Sequence, residues 1–383
     1  MKRVILTFFA LLIIRACLPP RCVASENTAS QSYFLGSVEK VIEQNKIAQG
    51  EDVFFTQKIN VKRTDTLQEI TIDVGTEFQP LNKNQLLKAG TTVILSEQPV
   101  NDTETQVVVV DIYRAPTMYW LLGGFFLLVI VVARWQGVLS IMGMAVSLLV
   151  LTAFIIPHIL AGENPILIAM IGSTVIAALS IYLSHGWSLK SHLALASMLS
   201  ILLVVALLST MSVKAAQIVG LGSEEAYFLQ FGQTAKINLQ GLLLAGILLG
   251  ALGVLDDICV AQIAIVFELK TLKTNIPFTE LYDRALNVGR DHVASLVNTL
   301  ILAYAGANLP LFLLFTINQQ IPTWVTLNSE VILEEVIRTL AGSIGLVLAV
   351  PLSTLIAAVV VEKLSKQALL ALDHSKKPHS HTH

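Results

Sequence analysis

Two kinds of patterning divide this chain. From about Ser25 to Ala115 apolar and polar residues alternate at period two, and Gly75 and the Lys88-Ala89-Gly90 turn punctuate the alternation. Five stretches read as strands: Tyr33–Ile42, Val53–Val61, Leu67–Val74, Thr91–Ser96 and Gln106–Tyr113. An open sheet of this size would expose edges and one apolar face, so the pattern predicts a small five-stranded barrel. From Thr117 the pattern changes to long apolar runs. They predict seven membrane-spanning helices, at 117–133, 137–156, 164–184, 192–210, 239–256, 293–316 and 337–361.

The first residues read as a leader, with Lys2 and Arg3 ahead of an apolar core from Val4 to Ile14 and small residues at Cys22-Val23-Ala24. Cleavage after Ala24 is favoured over an uncleaved anchor. A lipoprotein reading at Cys17 is weaker, because Arg15 stands where a small or apolar residue is wanted. The expected fold class is an α-helical integral membrane protein of about seven transmembrane helices, behind a signal peptide and a small extracytoplasmic β-rich domain. Its segments are a leader at 1–24, a β domain at 25–115, a polytopic domain at 116–361 and a cytoplasmic tail at 362–383.

Charge placement orients the spans. With the β domain outside, the inner loops hold Arg134, Lys190, Lys270, Lys273, Arg284 and Arg290, and the tail adds Lys363, Lys366, Lys376 and Lys377. The outer loops hold only Lys214 and Lys236. The expected topology is therefore amino terminus out and carboxy terminus in. A hydrophobic fraction of 54% against 14% charged residues exceeds what a soluble core needs and names the lipid bilayer as the main partner. Cys17, Cys22 and Cys259 support neither a disulfide nor a thiolate metal site. The β region shows no acid–base pair, metal cluster or basic-aromatic surface, which leaves it a binding or scaffolding role and points away from nucleic acid.

The candidate chemistry lies at Asp256-Asp257, inside the apolar run from Leu239 to Leu269. Each isolated charge at membrane depth costs about 2.5–3.5 kcal/mol. The expected partner is the next apolar segment, which opens on Arg290-Asp291-His292 and carries Ser295, Asn298 and Thr299 on one helical face. Gly246, Gly250 and Gly253 form a small-residue stripe that leads on to Asp257, so this carboxylate is expected in a helix contact with Asp256 about 100° around. Gln262 joins the candidate ligand path, and Gly342 and Gly345 are expected to serve packing. A plainer reading stands beside this one: the acidic pair ends the fifth helix at the cytoplasmic interface and Arg290 snorkels to headgroups. The helix then either stops at the pair or resumes as a cytoplasmic or re-entrant piece over 257–269. Asn298, about 10 Å deeper than Asp291, argues for the first reading. Glu334 with Arg338 reads as an i, i+4 pair at a helix entrance. His374, His379, His381 and His383 read as a polar tail more than a metal site.

The runs SEEAYFLQFGQ, NLQGLLLAGILLGALGVLDDICVAQ, ALNVGRDHVASLVNTLILAYAGANLP and EEVIRTLAGSIGLVLAVPLSTLIAA resemble the YibE/F-like family of bacterial multi-spanning membrane proteins. NPILIAMIGS and YLSHGWSLKSH extend the likeness. The resemblance implies an integral protein of the bacterial cytoplasmic membrane, without assigned catalytic residues. Cys259-Val260-Ala261 departs from it, where small hydroxyl residues are expected.

Three functions follow in order of preference. An ion- or proton-linked transporter or permease of a small ion or solute requires such acidic, amide and imidazole groups along a helix interface. A membrane scaffold whose outer β domain binds a partner comes second, and an intramembrane metal-dependent enzyme last. The sequence names no cofactor, substrate, coupling ion or oligomeric state.

Overall fold

The computed structural model of the protein describes residues 32–49, 52–76, 78–101, 104–231, 237–317 and 321–364. The expected leader and almost all of the 362–383 tail, with its histidines, lie outside these residues. The chain divides into two compact units between Val132 and Ala133.

The first unit is a five-stranded antiparallel sheet: β1 (Ser32–Gln49), β2 (Asp52–Arg63), β3 (Glu69–Val74), β4 (Thr92–Asn101) and β5 (Glu104–Ile112), in the order β3-β2-β1-β4-β5. Phe55, Gln57, Ile59 and Val61 of β2 all turn inward at the period of two that a half-buried strand imposes. Ile59 and Val61 pack with Val38, Ile72, Val93 and Leu95 into one core. Gln57 is buried yet satisfied: its Nε2 donates to the Leu87 carbonyl at 3.1 Å, and its Oε1 accepts from the Leu87 amide at 2.8 Å. A side-chain amide here completes a ladder that the β3–β4 connection leaves open.

The expected closed barrel is instead a half-barrel. β3 and β5 approach one another but no ladder joins them. β3 spans 6 residues against 18 in β1, too short an edge to close the cylinder. β1 itself runs past its expected end at Ile42, because the polar stretch Glu43–Gln49 pairs with Asp52–Lys58 as an extended hairpin arm. Two register shifts within β1, at Val38/Lys40 and Val41/Glu43, bend the strand around the core.

The second unit is helical. Its elements are α1 (Ala115–Leu160, whose first part lies in the sheet's unit), α2 (Pro165–His185), α3 (Leu189–Ala215), α4 (Glu224–Phe231), α5 (Leu239–Leu272), α6 (Phe278–Ala307), α7 (Leu309–Ile317), α8 (Thr323–Leu327) and α9 (Glu330–Glu362). Local sequence sets the starts. Asn164 caps α2 ahead of Pro165, Ser188 caps α3, and Asn238 caps α5 through a 3.0 Å bond from the Gly241 amide. Among the described residues α1, α2, α3, α5 and α9 are long and apolar enough to cross a membrane.

That count differs from the expected seven for two physical reasons. The first two expected spans fall in one helical stretch of 46 residues, interrupted at Arg134 (φ 52°, ψ −130°). The sixth divides at Asn308 into α6 and α7, and α6 begins well before Val293 with a charged first half. The fifth gains instead: α5 is continuous over 34 residues, so the acidic pair neither ends the helix nor breaks it. At about 1.5 Å per residue it is roughly 50 Å long, with Asp256 near its middle.

α5 is the central post, packed against α2, α3 and α9. Leu244, Ile247, Leu248, Leu255, Ile258 and Ile263 make its buried face. α6 lies mainly on α9 and meets α5 less.

Candidate functional site

Asp256 sits on the buried side of α5 and is half-buried. Ser180 Oγ of α2 donates to its Oδ2 at 2.7 Å. Several hydroxyls in these helices bond back to the carbonyl four residues earlier, as Thr152, Thr174, Ser200 and Thr210 do. Ser180 reaches across to another helix instead. Both residues line a cavity of about 300 Å³, walled by Ser147 and Leu151 of α1, Met198 of α3 and Leu252 of α5. α1 changes to a π-helical turn over Leu151–Ile155 beside this wall. Pro157 lacks the amide that a regular turn would offer the Ala153 carbonyl, which is the local cause of the irregularity.

Asp257 takes the opposite orientation to the expected one. It is exposed, and the Gly246–Gly250–Gly253 stripe above it is exposed as well. A Cβ added at Gly246 or Gly253 would meet nothing within 4 Å, and one at Gly250 would meet only the Tyr304 hydroxyl, at 3.3 Å. The large aliphatic side chains one face around drive the packing of α5, so the glycines are left outside. The small-residue contact is found on α9 instead. A Cβ at Gly345 would come within 2.6 Å of Val205 Cγ2 on α3, while Gly342 has an ordinary neighbour in Leu300 at 3.9 Å.

The polar face of α6 also points outward. Asp291, His292, Ser295, Asn298 and Thr299 are exposed, whereas Val293, Leu296 and Val297 rest on the helical core. The apolar half of this amphipathic helix won the contact with α9. Contacts at Gln262 with Ala285 and at Gly250 with Tyr304 bracket the α5–α6 pair. Asp257 therefore lies level with the α6 segment that carries Ser295 and Asn298. No hydrogen bond or ion pair joins these side chains among the described residues. Thr299 bonds back to the Ser295 carbonyl at 3.0 Å, and Arg290 bonds Asn287 at 3.0 Å and not the acidic pair.

Gln262 is a cross-helix tie. Its Nε2 donates to the Ala285 carbonyl at 2.8 Å and to Thr354 Oγ1 at 2.7 Å, which joins α5, α6 and α9 in a buried node. At the other end of α9 the expected Glu334–Arg338 pair is replaced. Arg338 pairs with Glu335, and Glu334 accepts the Gly222 amide at 2.8 Å. Glu330 accepts the amides of Val219, Gly220 and Leu221 at 2.8, 2.7 and 3.1 Å, so the two carboxylates clamp the loop after α3 onto the start of α9. Sequence reasoning missed Ser180, Ser147 and this clamp. A serine in an apolar helix carries no signal until its neighbour across the interface is known.

Residues 121–363, more than half of the chain, match the family described as YibE/F-like protein. The chain belongs to that family. Neither a curated protein nor a solved structure matches it. Family membership and the five long apolar helices together make it a multi-pass membrane protein.

Proposed function

We propose that this YibE/F-like protein is a cation- or proton-linked transporter, with Asp256 as the group that changes charge and with Asp257, His292 and Asn298 as a polar flank at the same level. The observation that carries the reading is a carboxylate midway along an unbroken apolar helix, on the wall of a cavity and held by one hydroxyl from a neighbouring helix. A structural role alone would select an apolar residue there, since a charge at that depth costs about 2.5–3.5 kcal/mol. Polar groups on the α6 flank carry the same kind of cost against hydrocarbon, so water or protein borders them.

The proposed topology has seven crossings, with the β unit outside and the carboxy terminus inside a bacterial cytoplasmic membrane. The break at Arg134 supports two crossings within α1, because 46 residues reach about 69 Å against roughly 30 Å of hydrocarbon. The Lys and Arg bias supports the orientation.

The test is flux. Protein reconstituted into vesicles should dissipate an imposed proton or cation gradient faster than empty vesicles do, and Asp256→Asn should abolish the difference while inserting normally. Equal flux from wild type and variant, or none above empty vesicles across a panel of gradients, would overturn the reading.

A further inference from the structure

The Asp256 cavity has a definite chemistry, which narrows what it accepts. Its volume of about 300 Å³ lies at the lower end of the range for small-molecule sites. Its walls are hydrocarbon and thioether, with Leu151, Leu249, Leu252 and Met198 among them. Three polar side chains reach it: Asp256, Ser180 and Ser147. The Asp256 carboxylate uses Oδ2 for Ser180, and no hydrogen bond reaches Oδ1 among the described residues. Ser147 spends its proton on the Gly143 carbonyl at 2.9 Å, so its oxygen presents only lone pairs. The cavity therefore offers acceptors and one negative charge.

A divalent metal ion wants six or more oxygen ligands for calcium, or a near-octahedral set with retained water for magnesium. One carboxylate and two hydroxyls in a hydrocarbon wall fall short of either. A compact ammonium with an apolar body matches both halves of that lining: its N–H groups suit the acceptors of Asp256 and Ser147, and its hydrocarbon suits the leucines and methionine. The charged groups acting on Asp256 are Asp257 on its own helix and His185 at the end of α2. The α1 and α3 walls bring no charge to the cavity.

We propose that the cavity between α1, α2, α3 and α5 binds a small lipophilic monocation, a compact organic ammonium, paired with Asp256. The proposal names the substrate class of the transporter and rests on that reading for its role, while the binding itself is independent of it.

The test is calorimetric titration of the full-length protein in detergent with cyclohexylammonium, with cyclohexanol as the neutral isostere and with ammonium chloride and magnesium chloride as ions lacking the apolar body. Cyclohexylammonium should bind and the other three should not. Asp256→Asn should weaken binding by about thirty-fold or more, because the bound charge loses its partner. Asp283→Asn, exposed on α6 and outside the cavity lining, should leave it unchanged. If Asp256→Asn fails to fold, Ser147→Leu removes an acceptor and fills the space, and it should abolish binding. Equal affinity for cyclohexanol, tight magnesium binding, or loss of binding in Asp283→Asn but not in the cavity variants would overturn the proposal. Amine binding without any vesicle flux would sink transport and leave the site standing. Asp256-dependent flux without amine binding would do the reverse.

Discussion

Ser180 Oγ and Asp256 Oδ2 lie 2.7 Å apart, a hydrogen bond across 76 positions of sequence that ties α2 to the middle of α5. Such bonds inside membrane proteins are worth about 1 kcal/mol each. Ser180→Ala should therefore lower the unfolding free energy in detergent by about 1 kcal/mol. Asp257→Asn, exposed and without a hydrogen-bond partner among the described residues, should stay within about 0.5 kcal/mol of wild type. Denaturant titration of the two variants checks the assignment, and the reverse order would mean that the acidic pair faces the other way.

Gln262 gives a second contrast. Gln262→Met keeps the volume but loses the bonds to Ala285 and Thr354, and should destabilise by about 1–2 kcal/mol. Thr354→Val removes one of the same bonds, so the double variant should fall short of the sum of the singles. Strict additivity, measured by the same titration, would show that the node carries no coupling.

Glycines that look alike in sequence should behave differently. Gly345→Ala places a Cβ within 2.6 Å of Val205 and should destabilise by about 1–3 kcal/mol. Gly246→Ala meets nothing within 4 Å and should be neutral or slightly stabilising, since alanine favours the helix. Thermal unfolding of the two variants separates them.

The membrane character and the five strands were legible because each rests on local pattern: long apolar runs and period-two alternation. Orientation around the helix axis was not. The glycine stripe suggested that Asp257 faced a neighbour, yet Leu244, Ile247, Leu248 and Leu255 bury more surface and turned the other side of α5 inward. The same competition left Asn298 and His292 exposed once Val293, Leu296 and Val297 had taken the contact. Hydrophobic area decides a helix's rotation, and single polar residues follow it. Barrel closure was illegible because it depends on strand length at the edges, and the polar run Glu43–Gln49 gives no apolar alternation to mark its pairing.

In the β unit, Arg63 bonds Asp65 at 2.8 Å and Glu97 at 2.7 Å and lies 3.6 Å over the Phe34 ring. The hydrogen bond from Arg63 holds the Asp65 carboxyl well below the usual carboxylate range, and bonds from Ser32 and then Arg63 lower that of Glu97. Carboxylates depressed in the folded state contribute stability that is complete above their unfolded values, about pH 4, and that is lost as pH falls through the folded ones. Acid should therefore loosen this end of the sheet. Amide hydrogen exchange in β1, β2 and β4 should show protection falling below about pH 4. Arg63→Met should flatten that dependence. An unchanged acid profile in the variant would contradict the linkage.

A transport site must reach water on both sides of the membrane in turn. The most direct test replaces Asp256 with cysteine in a protein whose Cys17, Cys22 and Cys259 have been removed, and applies a charged, membrane-impermeant thiol reagent to oriented vesicles from either face. The account predicts labelling at position 256 from both faces. Labelling from neither face would show that the cavity never opens to water, and labelling from one face only would make Asp256 part of a closed pocket and not of a translocation path.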